Sequence, residues 1–176
     1  MCSSRARTCV WSDLGAHVRR FFRGFRGTLT PDETGTVEAL LSPEELRCFR
    51  ALQGREQRHA VDVLRHLQAH GAPSDDLLVA ALLHNVGKGR VRLYERVAYT
   101  LLAMFAPRLL TRVALPDARG FRGAMAAQRD HPALGAEALA ALGVRPRVIE
   151  LVRGHHDASV GGDEELAALI EADLLR

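Results

Sequence analysis

The sequence predicts an all-α fold, a compact bundle of roughly six to eight helices. Three observations carry that expectation. Apolar residues recur at helical spacing along most of the chain, and no stretch of useful length alternates apolar with polar as a half-buried strand does. Helix-start signals recur, at Ser42-Pro43 with Glu45 three residues after the cap, at Ser74 before Asp75 and Asp76, and at Asp163. Glycine and proline then punctuate the chain at helix-sized intervals.

Taken in order, residues 1–12 are polar and read as a disordered start. Residues 14–25, LGAHVRRFFRGF, form a basic amphipathic segment that Gly24 and Gly27 cut short. TLTPDETGT (28–36) reads as a turn, with Pro31 and Gly35 as breakers. A capped helix follows from Ser42, and residues 1–53 together read as an N-terminal helical extension. The main domain is expected over 54–176. Its first helix, about Glu56 to His70, places Ala60, Val63, Leu64 and Leu67 on one face and ends at Gly71 and Pro73.

Ser74 caps the next helix, whose first turn carries Asp75 and Asp76 where the dipole favours acids; Gly87 and Gly89 close it. Residues 91–114 form one long or broken helix, bent or ended near Pro107. PDARGFRG (116–123) is a loop. Helices are expected from Pro132 to Leu142 and from Pro146 to His156. Gly161 and Gly162 break the chain, and Asp163 caps a last helix that runs to the C-terminus.

The 176 residues suit one domain with a short extension, and 47 % apolar with 26 % charged residues is an ordinary soluble composition. A net charge of +3 gives no ground for nucleic-acid binding. Of the 24 basic residues only Lys88 is a lysine. Cys2, Cys9 and Cys48 have neither metal-type spacing nor even pairing, so a reducing, cytoplasmic setting is expected. The apolar run Val97–Pro107 falls well short of the ~20 residues a membrane span needs, so it reads as a buried or interfacial helix.

The chemistry begins at LLVAALLHNV (77–86), where His84 and Asn85 end a helix that should be buried. A buried polar group without a partner costs roughly 2–7 kcal/mol, so the pair calls for one, and a metal ion is such a partner. Candidate co-ligands fall on inward helix faces. On the last helix Leu166, Leu169, Ile170 and position 173 follow i, i+3, i+4, i+7, and position 173 is an aspartate. On the helix before it, Leu151 and Val152 lead to His155, while His156 follows Ile149 and Val152, so at least one of the two histidines faces inward. His59 lies four residues before Val63, and His131 stands just before Pro132 at a helix entrance. Any one of these histidines is more often a satisfied core residue. As a set they are N/O donors without a thiolate, which suits iron, manganese, zinc or nickel and excludes a structural Cys-zinc site. His17, His66 and His70 read as structural or solvent-facing.

In this order the residues resemble the HD superfamily of metal-dependent phosphohydrolases: His59, then His84-Asn85-Val86-Gly87-Lys88, then His131-Pro132, His155-His156 and Ala172-Asp173, the later part similar to the HDIG subgroup. The resemblance covers roughly 54–176 and implies an HD-like helical bundle. It also implies one or two divalent ions held by His59, His84, Asn85, His131, His155, His156 and Asp173. Activated water would attack a small phosphorylated substrate or nucleotide, with Lys88, and secondarily Arg58, at the phosphate. The chain departs from the family at one position. The aspartate that names it is Asn85, a neutral and weaker donor, so catalysis by Asn85 and Lys88 stands against the alternative of a degenerate domain that binds a nucleotide or protein without turnover. Asp62, Asp130 and Asp157 are candidate replacements for the lost carboxylate. The basic segment HVRRFFRGFR and the VAYTLLAMFA helix raise, as a lesser reading, peripheral contact with an anionic membrane.

Overall fold

Caps and first-turn prolines set where the helices begin. A computed structural model describes residues 28–157 and 159–175; the expectations for residues 1–27, with Cys2, Cys9, His17 and the basic segment, lie outside the described residues. Within them the fold is all-α, with nine α-helices: α1 (Pro31–Leu40), α2 (Pro43–Ala51), α3 (Gly54–His70), α4 (Asp75–Leu83), α5 (Leu93–Phe105), α6 (Pro107–Val113), α7 (Phe121–Ala141), α8 (Pro146–Gly154) and α9 (Glu164–Leu175). A single 3-10 turn, Val86–Lys88, links α4 to the chain leading into α5.

The stretch expected to be a turn at 28–36 is instead the start of α1. Thr30 accepts from the Glu33 N–H at 3.3 Å, and the Glu33 carboxylate accepts from the Thr30 N–H at 2.7 Å. Pro31 sits at the first helical position, where its missing N–H costs nothing, so the residue read as a breaker is a starter.

Helix α4 is apolar on every side, and Leu77 through Leu83 are all buried, as a helix hydrophobic all round must be. Residues of α1, α2, α3, α7, α8 and α9 share its core, among them Val37, Phe49, Leu64, Leu139, Leu151 and Leu169. Leu110, Ala114, Met125 and Ala126 form a separate small cluster between α6 and α7, against which Tyr99 and Leu102 of α5 pack. Among the described residues no helix is long and apolar enough to cross a membrane.

Two features of α7 position the site. The helix was expected to begin at Pro132, but it runs from Phe121 straight through that proline. Proline in a helix interior deprives the carbonyl four residues back of its donor and costs about 3 kcal/mol or more. Here that carbonyl belongs to Gln128, and the His131 Nδ1–H donates to it at 2.9 Å. The histidine thus repairs the gap that the proline opens, and it sits in mid-helix rather than at a helix entrance. The second feature is a close approach. A Cβ on Gly87 would lie 2.1 Å from the His131 carbonyl oxygen and 2.5 Å from the Gly135 nitrogen, so only glycine lets the 3-10 turn rest on α7.

Candidate metal centre

Helices α3, α4, α7, α8 and α9 each send side chains to one buried region. His59 comes from α3, His84 from the C-terminal end of α4 and Asp173 from α9, and their ligand atoms lie within 4.8 Å of one another. A second trio, His131 of α7 with His155 and His156 beyond the end of α8, meets the same limit of 4.8 Å. The ring centroids of His84 and His155 lie 5.1 Å apart, so the two trios are neighbours.

The backbone fixes how the rings point. His84 Nδ1 lies 2.8 Å from the Ala81 carbonyl and His155 Nδ1 2.6 Å from the Val152 carbonyl, both at helix C-termini where carbonyls lack intrahelical donors. His131 Nδ1 meets Gln128 in the same way. A carbonyl only accepts, so Nδ1 carries the proton in all three rings. In the neutral ring Nε2 then carries the lone pair. This orienting bond to the far nitrogen is the one metal-ligating histidines use.

The distances that result would suit a ligand shell. His59 Nε2 lies 2.7 Å from Asp173 Oδ1, and His84 Nε2 lies 3.5 Å from the same oxygen, too far to bond. His131 Nε2 and His155 Nε2 are 3.1 Å apart. Two lone pairs facing at that distance repel unless a cation lies against both. Both rings would reach one ion at this spacing, given metal–nitrogen bonds of about 2.0–2.1 Å. His84 Nε2, His59 Nδ1 and both amide atoms of Asn85 are buried without a hydrogen-bond partner. Several orphaned polar atoms in one place, each costing about 1–3 kcal/mol, are what a bound cation and its ligands would satisfy. The donor set fits a divalent transition metal.

Electrostatics agree with that fit. Burial drives the His131 imidazole far below its ordinary range, with the Lys88 charge adding to the effect. Burial likewise takes His155 down to about 2, His84 and His156 contributing. His59 is lowered by burial against the pull of Asp173. Burial raises the Asp173 carboxyl, but the hydrogen bond to His59 and the nearby His84 ring outweigh it and hold the group well below the usual carboxylate range. Neutral imidazoles and an ionised carboxylate are the protonation states that bind metal.

Lys88 is half-buried, its ammonium 3.7 Å from the Glu56 carboxylate. Glu56 was not anticipated from the sequence. It is buried, ion-paired also with Arg96 and Arg55, and held at about 2, the raising effect of burial outweighed by Lys88 and Arg96. Its signal was its position one turn before His59 on the same face of α3. Arg58, expected at a phosphate, meets carboxylates. Its guanidinium is bidentate to Glu33 at 2.7 and 2.6 Å and reaches Asp62 at 3.1 Å, so carboxylates take both terminal nitrogens. Asp62 is thereby occupied, Asp130 is chelated by Arg129 at 2.7 Å, and Asp157 is exposed; none of them joins a trio. His66 stacks on His70, apart from both trios.

A family model described as HD domain matches residues 57–175. No curated protein and no solved structure matches the chain.

Proposed function

The chain belongs to the HD-domain family, and from that premise we propose that it is a metal-dependent phosphohydrolase acting on a nucleotide or another small phosphoester. The observation that carries the reading is the convergence of His59, His84 and Asp173 from three separate helices, with the His84 ring turned by a backbone carbonyl and the Asp173 carboxyl held ionised. These three would hold a divalent ion of the iron, manganese, zinc or nickel kind, which when bound would supply Lewis acidity toward water and a phosphoryl oxygen.

The protein's own groups do the remainder. The carbonyls of Ala81, Gln128 and Val152 keep the three rings turned, each accepting from Nδ1–H so that Nε2 faces the site. Asp173 balances positive charge where no other carboxylate enters the trios. Lys88, steadied by Glu56, serves as a point charge for the substrate phosphate. Asn85 offers its buried amide as a weak ligand or as a donor to the attacking water.

The test is phosphate release from p-nitrophenyl phosphate and a panel of nucleoside phosphates after loading with manganese, iron, zinc or nickel. Turnover that is lost on chelation and in H84A is expected. Asn85 favours a second reading, a domain that binds a nucleotide or protein without turnover, because a neutral amide stands where the family has a carboxylate. Activity that arises only in N85D would establish that second reading and overturn the first.

A further inference from the structure

The α5 helix has a solvent face that the metal chemistry does not use. The sequence left the VAYTLLAMFA stretch as buried or interfacial, and the fold leaves its outer side uncovered. Tyr94, Val97, Leu101 and Phe105 follow one another at helical spacing along α5, and Leu109 continues the line on α6. All five are exposed, Leu101 at 50 % and Phe105 at 68 %. Single exposed apolar residues are ordinary, but a contiguous line of large ones marks a surface that meets something.

The charge carried by the same stretch of chain says what that is. Arg90, Arg92, Arg108, Arg112, Arg119 and Arg122 are all exposed, and none forms an ion pair among the described residues. Elsewhere arginines such as Arg50, Arg145 and Arg147 hold carboxylates. Between residues 90 and 122 the only acids are Glu95 and Asp117, and Glu95 is buried. A second copy would bring the same cationic surplus against this face. Residues 1–27 would do so as well, with Arg5, Arg7, Arg19, Arg20, Arg23 and Arg26 against Asp13 alone. Like charge opposes both occupants.

We propose that the α5–α6 face docks on an anionic lipid surface, its apolar line entering the headgroup boundary and the flanking arginines meeting lipid phosphates. Both parts of the device are those of a peripheral, non-spanning membrane contact. The N-terminal segment, rich in arginine and phenylalanine, adds attraction of the same sign.

The experiment is co-sedimentation of the full chain with vesicles of phosphatidylcholine alone or mixed with phosphatidylglycerol, at about 0.05 M and about 0.5 M salt. Binding is expected only to the anionic vesicles, strongest at low salt. L101E/F105E should weaken it by about tenfold or more, and R108Q/R112Q should weaken it and flatten its salt dependence. Both pairs are on the surface, so circular dichroism should match the wild type. No binding at low salt, or binding that L101E/F105E leaves intact, overturns the proposal. Capture of an acidic protein with no vesicle binding also overturns it and assigns the face to that partner class.

Discussion

The two trios of the metal centre use the same imidazole chemistry and differ in one respect, charge. His59, His84 and Asp173 include an ionised carboxylate, whereas His131, His155 and His156 bring three rings and no anion. A divalent cation transferred from water to a buried site needs negative charge as well as lone pairs, because desolvation is costly and neutral donors offset it only in part. On the function proposed above, the carboxylated trio would therefore be the strong site and the all-histidine trio the weak one. Asn85, adjacent to His84 and buried with both amide atoms unpartnered, is where a second carboxylate would have supplied the missing charge.

The largest expected effect breaks the comparison at its charged end. D173N keeps the shape of the side chain and removes its anion. Metal affinity should fall by more than about 100-fold, since even outer partners of ligands are worth 10–100-fold. H155Q in the other trio should change the affinity of the first ion by less than about threefold. Isothermal titration of chelator-treated protein compares the two, and equal losses would remove the asymmetry.

A smaller effect sharpens the same contrast through packing. G87A puts a methyl against the His131 carbonyl and the Gly135 nitrogen, where backbone must move. Overpacking of this kind costs typically 1–3 kcal/mol, so a clear fall in melting temperature is expected. The displacement acts on α7 and its His131, leaving the trio on α3, α4 and α9 able to keep its ion. Loss of the tightly held ion in folded G87A would contradict that separation.

The smallest effect is in pH. His131 and His155 are lowered in the folded protein from an ordinary value of 6.5, so below about that pH the unfolded chain binds protons that the folded chain refuses. Stability of the metal-free protein should be full above pH 6.5 and decline as the pH falls through it. Thermal melts from pH 8 to 5 should show the decline, and H155Q should flatten it.

Much of the fold was legible because it rests on local chemistry. The capping box at Ser42, the acids after Ser74 and the Asp163 cap, whose carboxylate accepts from the Leu166 N–H at 3.0 Å, start helices where the sequence says they should. The misreadings share a cause, namely that proline carries two meanings. Pro31 starts α1, and Pro132 is tolerated inside α7 only because His131 supplies the missing donor, a compensation visible only with the helix in three dimensions. Within the site, periodicity singled out Asp173 and at least one inward member of the pair His155 and His156; the structure buries Asp173 and His155 and exposes His156. Glu56 and the Glu33–Arg58 pair escaped notice because their partners are distant in sequence, and spacing along one helix says nothing of what another helix brings.

The most direct measurement is the metal content of untagged wild type and N85D after dialysis, by mass spectrometry with the protein counted by amino-acid analysis. One tightly held ion per chain in wild type and two in N85D is the predicted result. Two ions in wild type, or none beside a filled N85D, would contradict the claim that the single carboxylate of Asp173 makes one site strong and leaves the other weak.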